Sequence, residues 1–222
     1  MTITENLQKV KKNIPENVKL VAVSKTKPAE TILEAYNAGH KIFGENKVQE
    51  LVQKYSELPK DIEWHFIGHL QTNKVKYIIP FVHLIHSVDS MKLLKVINKE
   101  AKKSDRLVNC LLQLKIAREE TKFGMAEEEV DDMIQSEEIK ELSNITITGL
   151  MGMATYSDDI NLVSSEFRKL YTIFKRLQAM YFNTSPAFKE ISMGMSHDYQ
   201  LALNEGTTIV RIGSLIFGER YY

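Results

Sequence analysis

Lys25 is the first residue in this sequence whose position suggests chemistry. It follows the run LVAVS (20–24), and Pro28 then breaks the apolar pattern. Because side chains alternate along a strand, Lys25 shares a face with Val21 and Val23. Burial and nearby positive charge lower the pKa of a lysine, and a neutral amine can form a Schiff base with an aldehyde. Lys25 is therefore a candidate covalent anchor; the alternative is an ordinary exposed lysine at the end of a strand.

Arg211 interrupts a second apolar run, TTIVRIGSLIFG (207–218). It points to the opposite side of its strand from Val210 and Ile212. A buried guanidinium needs hydrogen-bond acceptors, because leaving the charge unpaired is costly. We expect Arg211 either at the mouth of a barrel, where a ligand atom could accept its hydrogen bonds, or among the surrounding helices.

Two short segments have the composition of a phosphate-binding site, SMGMS (192–196) and GS (213–214). Glycine lets the backbone approach a phosphate group closely, and serine adds a hydroxyl donor. The candidate residues are Ser192, Gly194, Ser196, Gly213 and Ser214. SMGMS taken alone is also compatible with a turn that carries two core methionines.

The histidines do not follow a metal-binding pattern along the chain. His65 and His69 are four residues apart in a predicted strand, and His83 and His86 fall on opposite faces of another. We expect packing or supporting roles for these side chains and predict no metal site.

Alternating strand and helix patterns must position these residues. Eight strands are predicted, and each of the first seven is followed by a helix; the strands are 18–25, 41–46, 62–68, 84–89, 107–116, 145–154, 189–194 and 207–218. Strict alternation indicates parallel strands, and eight such units in a chain of this length match a (β/α)8 TIM barrel. A doubly wound open sheet is the alternative. In a barrel, Lys25, Arg211 and both phosphate-type segments meet at the carboxyl ends of the strands.

Two helices are predicted from apolar spacing. Residues 4–13 form an amphipathic helix, within an N-terminal segment 1–17 that we expect to pack on the barrel. The segment 164–182 is the clearest helix, because a single stripe contains Phe167, Leu170, Phe174, Leu177 and Tyr181.

Composition narrows the class of protein. The 29 basic and 29 acidic residues give a net charge of zero, so charge supplies no argument for a nucleic-acid or membrane partner. A hydrophobic content of 43% suffices for one large core, and we expect a single domain over 1–222. Cys110 is the one cysteine and cannot form an internal disulfide, and no apolar stretch is long enough to span a bilayer. A cytoplasmic location is the expectation.

Six segments together resemble the pyridoxal phosphate homeostasis proteins, also called the YggS/PROSC family. They occur in the expected order from about residue 18 onward: AVSKTKP, FGENKVQE, WHFIGHLQTNK, GLMGMAT, SMGMSHD and VRIGSLIFGER. The resemblance implies a barrel of the alanine-racemase N-terminal type that binds pyridoxal 5′-phosphate (PLP). Two departures are His69, where proline is common, and Ser214, where threonine is common; serine keeps the hydroxyl.

The resemblance also implies roles for individual residues. Lys25 would carry PLP as an internal aldimine, and Arg211 would face the pyridine nitrogen. Asn46 and His65 would lie near the ring. The phosphate would be held by Ser192, Met193, Gly194, Ser196, Gly213 and Ser214.

An arginine at the pyridine nitrogen keeps that nitrogen unprotonated, which weakens the ring as an electron sink. Alanine racemases share this arrangement but take a second base from a C-terminal domain of the partner subunit, whereas this sequence stops at GERYY (218–222). We therefore expect no catalytic residue, and a monomeric PLP carrier that maintains the cellular PLP supply and affects amino-acid and keto-acid pools indirectly. PLP-dependent apoenzymes are the expected acceptors.

Two other functions stay open at this point. One is a weak PLP-dependent amino-acid racemase. The other is a Schiff-base aldolase that acts on a sugar phosphate, because a lysine beside a phosphate site looks the same in sequence.

Overall fold

Eight parallel strands close into a barrel in the order in which they occur along the chain. The computed structural model describes residues 2–119 and 123–219. The strands are β1 (Lys19–Val23), β2 (Ile42–Glu45), β3 (Glu63–Phe66), β4 (Leu84–Val88), β5 (Val108–Leu114), β6 (Ile145–Gly152), β7 (Glu190–Ser192) and β8 (Ile209–Ile212). β8 pairs with β1, with Arg211 opposite Val21. This pairing confirms the predicted barrel and excludes the open sheet.

Helices follow every strand and cover the outside of the barrel. They are α1 (Ile3–Lys12), α2 (Ala29–Asn37), α3 (Val48–Glu57), α4 (Val75–Ile78), α5 (Met91–Lys103), α6 (Glu127–Gln135), α7 (Glu137–Lys140), α8 (Ile160–Met180), α9 (Tyr199–Asn204) and α10 (Ser214–Phe217). A 3-10 turn, Thr72–Lys74, precedes α4. Within the described part of the chain, no helix has both the length and the apolarity to cross a membrane.

Two element ends differ from the sequence prediction in ways that affect the site. β1 ends at Val23 rather than at Lys25, so the lysine lies on the loop that follows the strand. The predicted strand 207–218 is a strand only over Ile209–Ile212, and its second half forms α10. α10 has four residues, too few for a periodic apolar pattern to show.

The N-terminal helix α1 begins with a capping box, in which Thr2 and Glu5 satisfy each other's backbone N–H groups. Its buried residues are Leu7 and Val10, and it packs against α2 and α10. Asn6 donates a hydrogen bond to the carbonyl of Ile216 at 3.1 Å. The single-domain interpretation of 1–222 stays a prediction, since residues 1, 120–122 and 220–222 lie outside the described residues.

The apolar core has two parts. The larger part lies between the strands and the helices, and it includes the stripe of α8 that was predicted from the sequence. The smaller part lies inside the barrel and consists of Val21, Leu84, Leu111, Met151 and Ile209. Buried polar side chains of the barrel strands share this interior, among them His65, His86, Gln113, Ser192 and Arg211.

Candidate cofactor-binding site

A cavity of about 260 Å³ opens at the carboxyl ends of the strands, where a barrel of this kind holds its functional residues. Six of the predicted site residues line it: Lys25, Asn46, Ser196, Arg211, Gly213 and Ser214. Apolar side chains form part of the wall, namely Val23, Ile67, Met153 and Met195. The cavity therefore combines an apolar wall with polar groups drawn from four βα-loops.

The charge of this cavity is positive. Lys25, Lys27 and Arg211 line it, and no carboxylate is present among its described lining residues. Cations and hydroxyl donors without a competing carboxylate favour an anionic ligand such as a phosphate monoester.

Lys25 is held in place by a buried polar network beneath its loop. Lys54 of α3 is 5% exposed and donates hydrogen bonds to the Ser24 carbonyl at 2.8 Å and to the Glu45 carboxylate at 2.7 Å. The Ser24 hydroxyl donates to the same Glu45 oxygen at 2.7 Å. The residue before Lys25 is therefore fixed from two sides.

The residue after Lys25 is fixed as well. Thr26 has φ +67°, a conformation that costs energy for a β-branched residue. Its backbone N–H donates to Glu50, whose carboxylate also accepts from Lys54 at 2.7 Å. A single buried ammonium group thus links both neighbours of Lys25 to α3.

Burial raises the pKa of the Glu45 carboxyl, and the attraction of Lys54 opposes this effect without cancelling it. The second carboxyl oxygen of Glu45, Oε2, has no hydrogen-bond partner among the described residues. The network therefore contains a carboxyl group that depends on Lys54 for its charge.

The neighbouring lysine, Lys27, forms hydrogen bonds with backbone carbonyls near the end of the described chain. Its Nζ donates to the carbonyl of Phe217 at 2.9 Å and to that of Glu219 at 3.2 Å. Lys27 thus ties the loop after β1 to the end of α10, which supports Lys25 as the better candidate anchor.

Arg211 is 4% exposed and lies inside the barrel at its mouth, the first of the two positions expected from the sequence. Its Nη1 donates to the Ser192 hydroxyl at 2.6 Å, and its Nη2 donates to the Gly152 carbonyl at 3.2 Å. Burial lowers the pKa of Arg211 to about 10, partly offset by Asp198, so the guanidinium remains charged at neutral pH.

Ser192 and His65 lie below this cavity rather than on its wall. Ser192 Oγ contacts Nδ1 of His86 at 2.9 Å, and Nε2 of His86 contacts Nδ1 of His65 at 2.9 Å. Burial lowers the pKa of both histidines well below the usual value, so the rings are neutral. We call the chain Arg211, Ser192, His86 and His65 the axial relay. His65 is therefore linked to the mouth cavity only through the other members of this relay.

The two phosphate-type segments meet at the mouth. The backbone N–H of Gly213 donates to the Ser196 hydroxyl at 3.2 Å. A Cβ at Gly213 would lie 3.0 Å from the carbonyl oxygen of Val23, so the glycine permits close approach of β8 to β1. Met193 and Gly194 do not line the cavity: Met193 packs in the outer core, and the Gly194 carbonyl accepts from the Arg211 N–H at 3.0 Å.

Two features of the site were not anticipated from the sequence. His197 lines the cavity, and its position directly after the segment SMGMS carries no separate signal in the sequence. Lys54 looks like the solvent-exposed half of an i, i+4 pair with Glu50, and that pair is the available sequence signal. Only the placement of α3 against β2 buries the Lys54 side chain, while Glu50 stays partly exposed.

Comparisons with known proteins agree with this geometry. The family model described as the alanine racemase N-terminal domain matches residues 1–221. The pyridoxal phosphate homeostasis protein of Aquifex aeolicus (strain VF5) is 46% identical over 205 residues, which cover 92% of this chain and 88% of that protein. This chain belongs to the pyridoxal phosphate homeostasis protein family.

Solved structures of a related protein extend the match over the whole barrel. PipY of Synechococcus elongatus PCC7942 without PLP superposes with a TM-score of 0.92 at 35% identity, covering 98% of this chain and all of PipY. The structure of PipY with PLP bound gives a TM-score of 0.88 at 34% identity, with 98% of this chain and 100% of PipY covered. The family resemblance and the alanine-racemase-type barrel predicted from the sequence are confirmed.

Proposed function

We propose that this chain binds PLP at the mouth of its barrel and serves in PLP homeostasis. The observation that carries the proposal is the cavity itself, in which Lys25, Arg211, Ser196 and Ser214 converge without an opposing carboxylate among the described lining residues. Membership of the pyridoxal phosphate homeostasis protein family and the PLP-bound structure of PipY support the identity of the ligand.

The residues present fit this coenzyme. Asn46 Oδ1 is buried at the cavity wall and has no hydrogen-bond partner within the described part of the chain. An unsatisfied buried carbonyl oxygen is costly, and a ligand donor group relieves that cost. Gly213 leaves its backbone accessible where a side chain would fill the space beside Val23.

We assign the roles as follows. Ser196, Gly213 and Ser214 bind the phosphate, Asn46 contacts the polar edge of the ring, and Lys25 holds the coenzyme covalently. Ser192, Met193, Gly194 and His65 support the site from behind, since none of them lines the cavity. When bound, PLP supplies an aldehyde that condenses with an amine and a ring that can accept electrons.

We infer a carrier role rather than efficient catalysis from Arg211. This residue is a donor in both of its side-chain hydrogen bonds, and a guanidinium offers no acceptor. It retains its proton and therefore cannot protonate the ring nitrogen as a carboxylic acid would. Withholding that proton disfavours carbanion chemistry.

Borohydride reduction followed by mass spectrometry tests the assignment of Lys25. The wild-type chain incubated with PLP should gain the mass of one reduced phosphopyridoxyl group on the peptide that contains Lys25. Lys25→Ala should lose this adduct and the visible absorption of the bound coenzyme, while Lys27→Ala should retain both. An adduct that persists in Lys25→Ala with circular dichroism unchanged would refute the assignment. A sugar-derived mass from cell-purified protein would instead support the aldolase.

A weak amino-acid racemase is the second candidate, and His197 is the observation in its favour. Racemisation needs a proton acceptor besides the lysine, and the His197 imidazole lines the same cavity. We expect exchange of the α-proton of single amino acids by holo-protein to be far slower than about 1 per second, the lower end of ordinary enzyme rates. Exchange at that rate or above, accompanied by loss of optical rotation and abolished in His197→Gln, would establish the racemase.

We further propose that the chain acts as a cytoplasmic monomer that passes PLP to apoenzymes. One chain already supplies the proposed anchor Lys25, the cation Arg211 and the phosphate donors Ser196 and Ser214. The single cysteine, Cys110, is buried, and burial raises its thiol pKa to about 12, so we expect an unreactive thiol there. Sedimentation of holo-protein together with a PLP-dependent apoenzyme tests both the mass and the transfer.

A further inference from the structure

A second polar cavity lies at the opposite end of the barrel. It has a volume of about 250 Å³ and is lined by the first residues of several strands, including Lys19 of β1, Glu63 of β3, Leu84 of β4 and Glu190 of β7. The amino ends of barrel strands ordinarily serve stability, so a group of chemically capable side chains there needs an explanation.

Three potential metal ligands converge in this second cavity. Glu63, His65 and His83 each offer one ligand atom, and these atoms lie within 4.8 Å of one another. His83 Nε2 is 3.6 Å from Glu63 Oε2, and the rings of His65 and His83 are parallel with centroids 5.6 Å apart. The ligands come from β3 and from the residue before β4, so no single stretch of sequence contains the set.

His65 provides an independent indication that a ligand belongs here. It is 2% exposed, and its Nδ1 is engaged with His86 at 2.9 Å. Its Nε2 is buried without a hydrogen-bond partner among the described residues, although the ring lines the cavity. A buried imidazole nitrogen left unsatisfied is costly, and coordination of an ion would remove that cost.

The charged groups around the cavity permit a cation to bind. Lys19 lies on its wall, but its ammonium is paired with Glu190 at 2.6 Å. The other oxygen of Glu190 accepts from Thr208 Oγ1 at 2.8 Å. Lys189, the other lysine of the described lining, is at the rim as an exposed residue. Glu63 supplies the negative charge, and both it and His83 are about half exposed, which gives an ion a path from solvent.

We propose that Glu63, His65 and His83 bind a divalent transition-metal ion of the zinc type. Two imidazoles and a carboxylate are a recurrent ligand set for Zn²⁺, with solvent in the fourth position. Tetrahedral coordination at Zn–N and Zn–O distances of about 2.0–2.2 Å places ligand atoms roughly 3.4 Å apart. The ligand atoms now lie within 4.8 Å of one another, and rotation of the half-exposed Glu63 and His83 side chains would shorten these distances to the required value.

The axial relay acts as the second layer of this proposed site. If His65 Nε2 binds the ion, its proton resides on Nδ1 and is donated to His86 Nε2. The proton of His86 then resides on Nδ1 and is donated to Ser192 Oγ, which also accepts from Arg211. A metal ion would therefore fix one tautomer for both rings and orient His65 toward the cavity.

Equilibrium dialysis of the full-length, PLP-loaded chain against ZnCl2 after treatment with a chelator tests the proposal. We expect about one Zn²⁺ per chain and no competition from excess Mg²⁺, which prefers oxygen ligands; Co²⁺ added to the metal-free chain should give visible d–d absorption that Zn²⁺ then abolishes. His83→Gln and Glu63→Gln alter half-exposed side chains and should each weaken Zn²⁺ binding at least tenfold.

The matched control is His69→Gln, which removes another exposed histidine that lies beside a carboxylate, Asp89 at 3.2 Å. It should bind Zn²⁺ as wild type does. Lys25→Ala should also retain Zn²⁺, which would separate the ion from the coenzyme and keep this test independent of the proposed function. The proposal would be overturned if the wild type failed to bind Zn²⁺ or if Lys25→Ala lost the ion. It would also be overturned if His83→Gln and Glu63→Gln bound Zn²⁺ with the affinity of the wild type.

Discussion

Lys54 determines the position of the loop that holds Lys25. Its ammonium contacts the Ser24 carbonyl and the carboxylates of Glu45 and Glu50 while almost fully buried. Taking these charges out of water is costly, and their mutual attraction repays the cost only while every partner is present. The network is thus better suited to fixing the geometry around Lys25 than to adding stability.

Removal of Lys54 should therefore be strongly destabilising. Lys54→Met leaves Glu45 buried without its counter-charge, and we expect a loss of about 3–5 kcal/mol in the free energy of unfolding, measured with urea. The double variant Glu45→Gln, Lys54→Met removes both charges and should recover part of the loss. If the double variant is less stable than Lys54→Met, the proposed charge coupling is absent.

The same pair predicts a pH dependence. Burial raises the folded-state pKa of Glu45, so its contribution to stability is fully present below the unfolded pKa and is lost as pH rises through the folded pKa. Without Lys54 the folded pKa rises further. The stability deficit of Lys54→Met relative to wild type should therefore grow as pH rises above the unfolded pKa of a glutamate, about 4.3, whereas a constant deficit would contradict this account.

At the level of residues, the sequence identified the groups that end or interrupt apolar strands. Lys25 and Arg211 stand out because neighbouring positions are apolar, and both line the mouth cavity. Lys54 and His197 do not stand out, because a lysine on an amphipathic helix and a histidine after a turn have solvent as their ordinary environment. The tertiary contacts that bury or enclose them are not encoded locally.

Among the elements, α8 shows how far periodicity determines local structure. The predicted stripe is buried at Phe167, Leu170, Phe174 and Leu177, since spacings of three and four put them on one face. The helix begins earlier than predicted, at Ile160, because the Asp159 side chain accepts hydrogen bonds from the N–H groups of Asn161 and Leu162.

Truncating a side chain within this stripe should lower the free energy of unfolding much more than truncating the exposed side chain at the start of α8. Phe167 is fully buried, and Phe167→Ala should lower the free energy of unfolding by about 3–5 kcal/mol through lost burial and a cavity. Ile160→Ala, at a side chain that is 62% exposed, should change it by less than about 0.5 kcal/mol. Similar losses in the two variants would show that α8 does not pack as described.

For the whole molecule, the buried His40 makes the free energy of unfolding depend on pH. Burial lowers the pKa of His40 to about 4, a larger effect than the repulsion from Lys11, while the hydrogen bond to the Ile42 carbonyl acts in the opposite direction. A folded-state pKa below the unfolded value of 6.5 means that its contribution is present above pH 6.5 and is lost as pH falls toward 4.

His40→Gln tests this dependence, because glutamine can donate to the Ile42 carbonyl but does not titrate. The pKa difference of about 2.5 corresponds to about 3 kcal/mol, so wild type should lose that much more stability than the variant between pH 7 and pH 4. Urea unfolding at several pH values measures the difference. If the free energy of unfolding falls equally with pH in both proteins, groups other than His40 cause the acid sensitivity.

The axial relay connects the two ends of the molecule through the barrel interior. Its four members lie on four different strands: Arg211 on β8, Ser192 on β7, His86 on β4 and His65 on β3. Their separations in sequence are large, yet successive polar atoms lie 2.6–2.9 Å apart. Only closure of the barrel produces this arrangement.

The sequence by itself determined the alternation of strands and helices, the parallel barrel and the polar residues at its mouth. These follow from local periodicity and from the rule that carboxyl ends of parallel strands meet. Tertiary structure alone decided that Lys54 is buried beneath Lys25, that His65 faces the lower cavity, and that Glu63 and His83 join it there. The physical reason is that burial and hydrogen-bond partners depend on contacts between distant segments, which exist only once the barrel has closed.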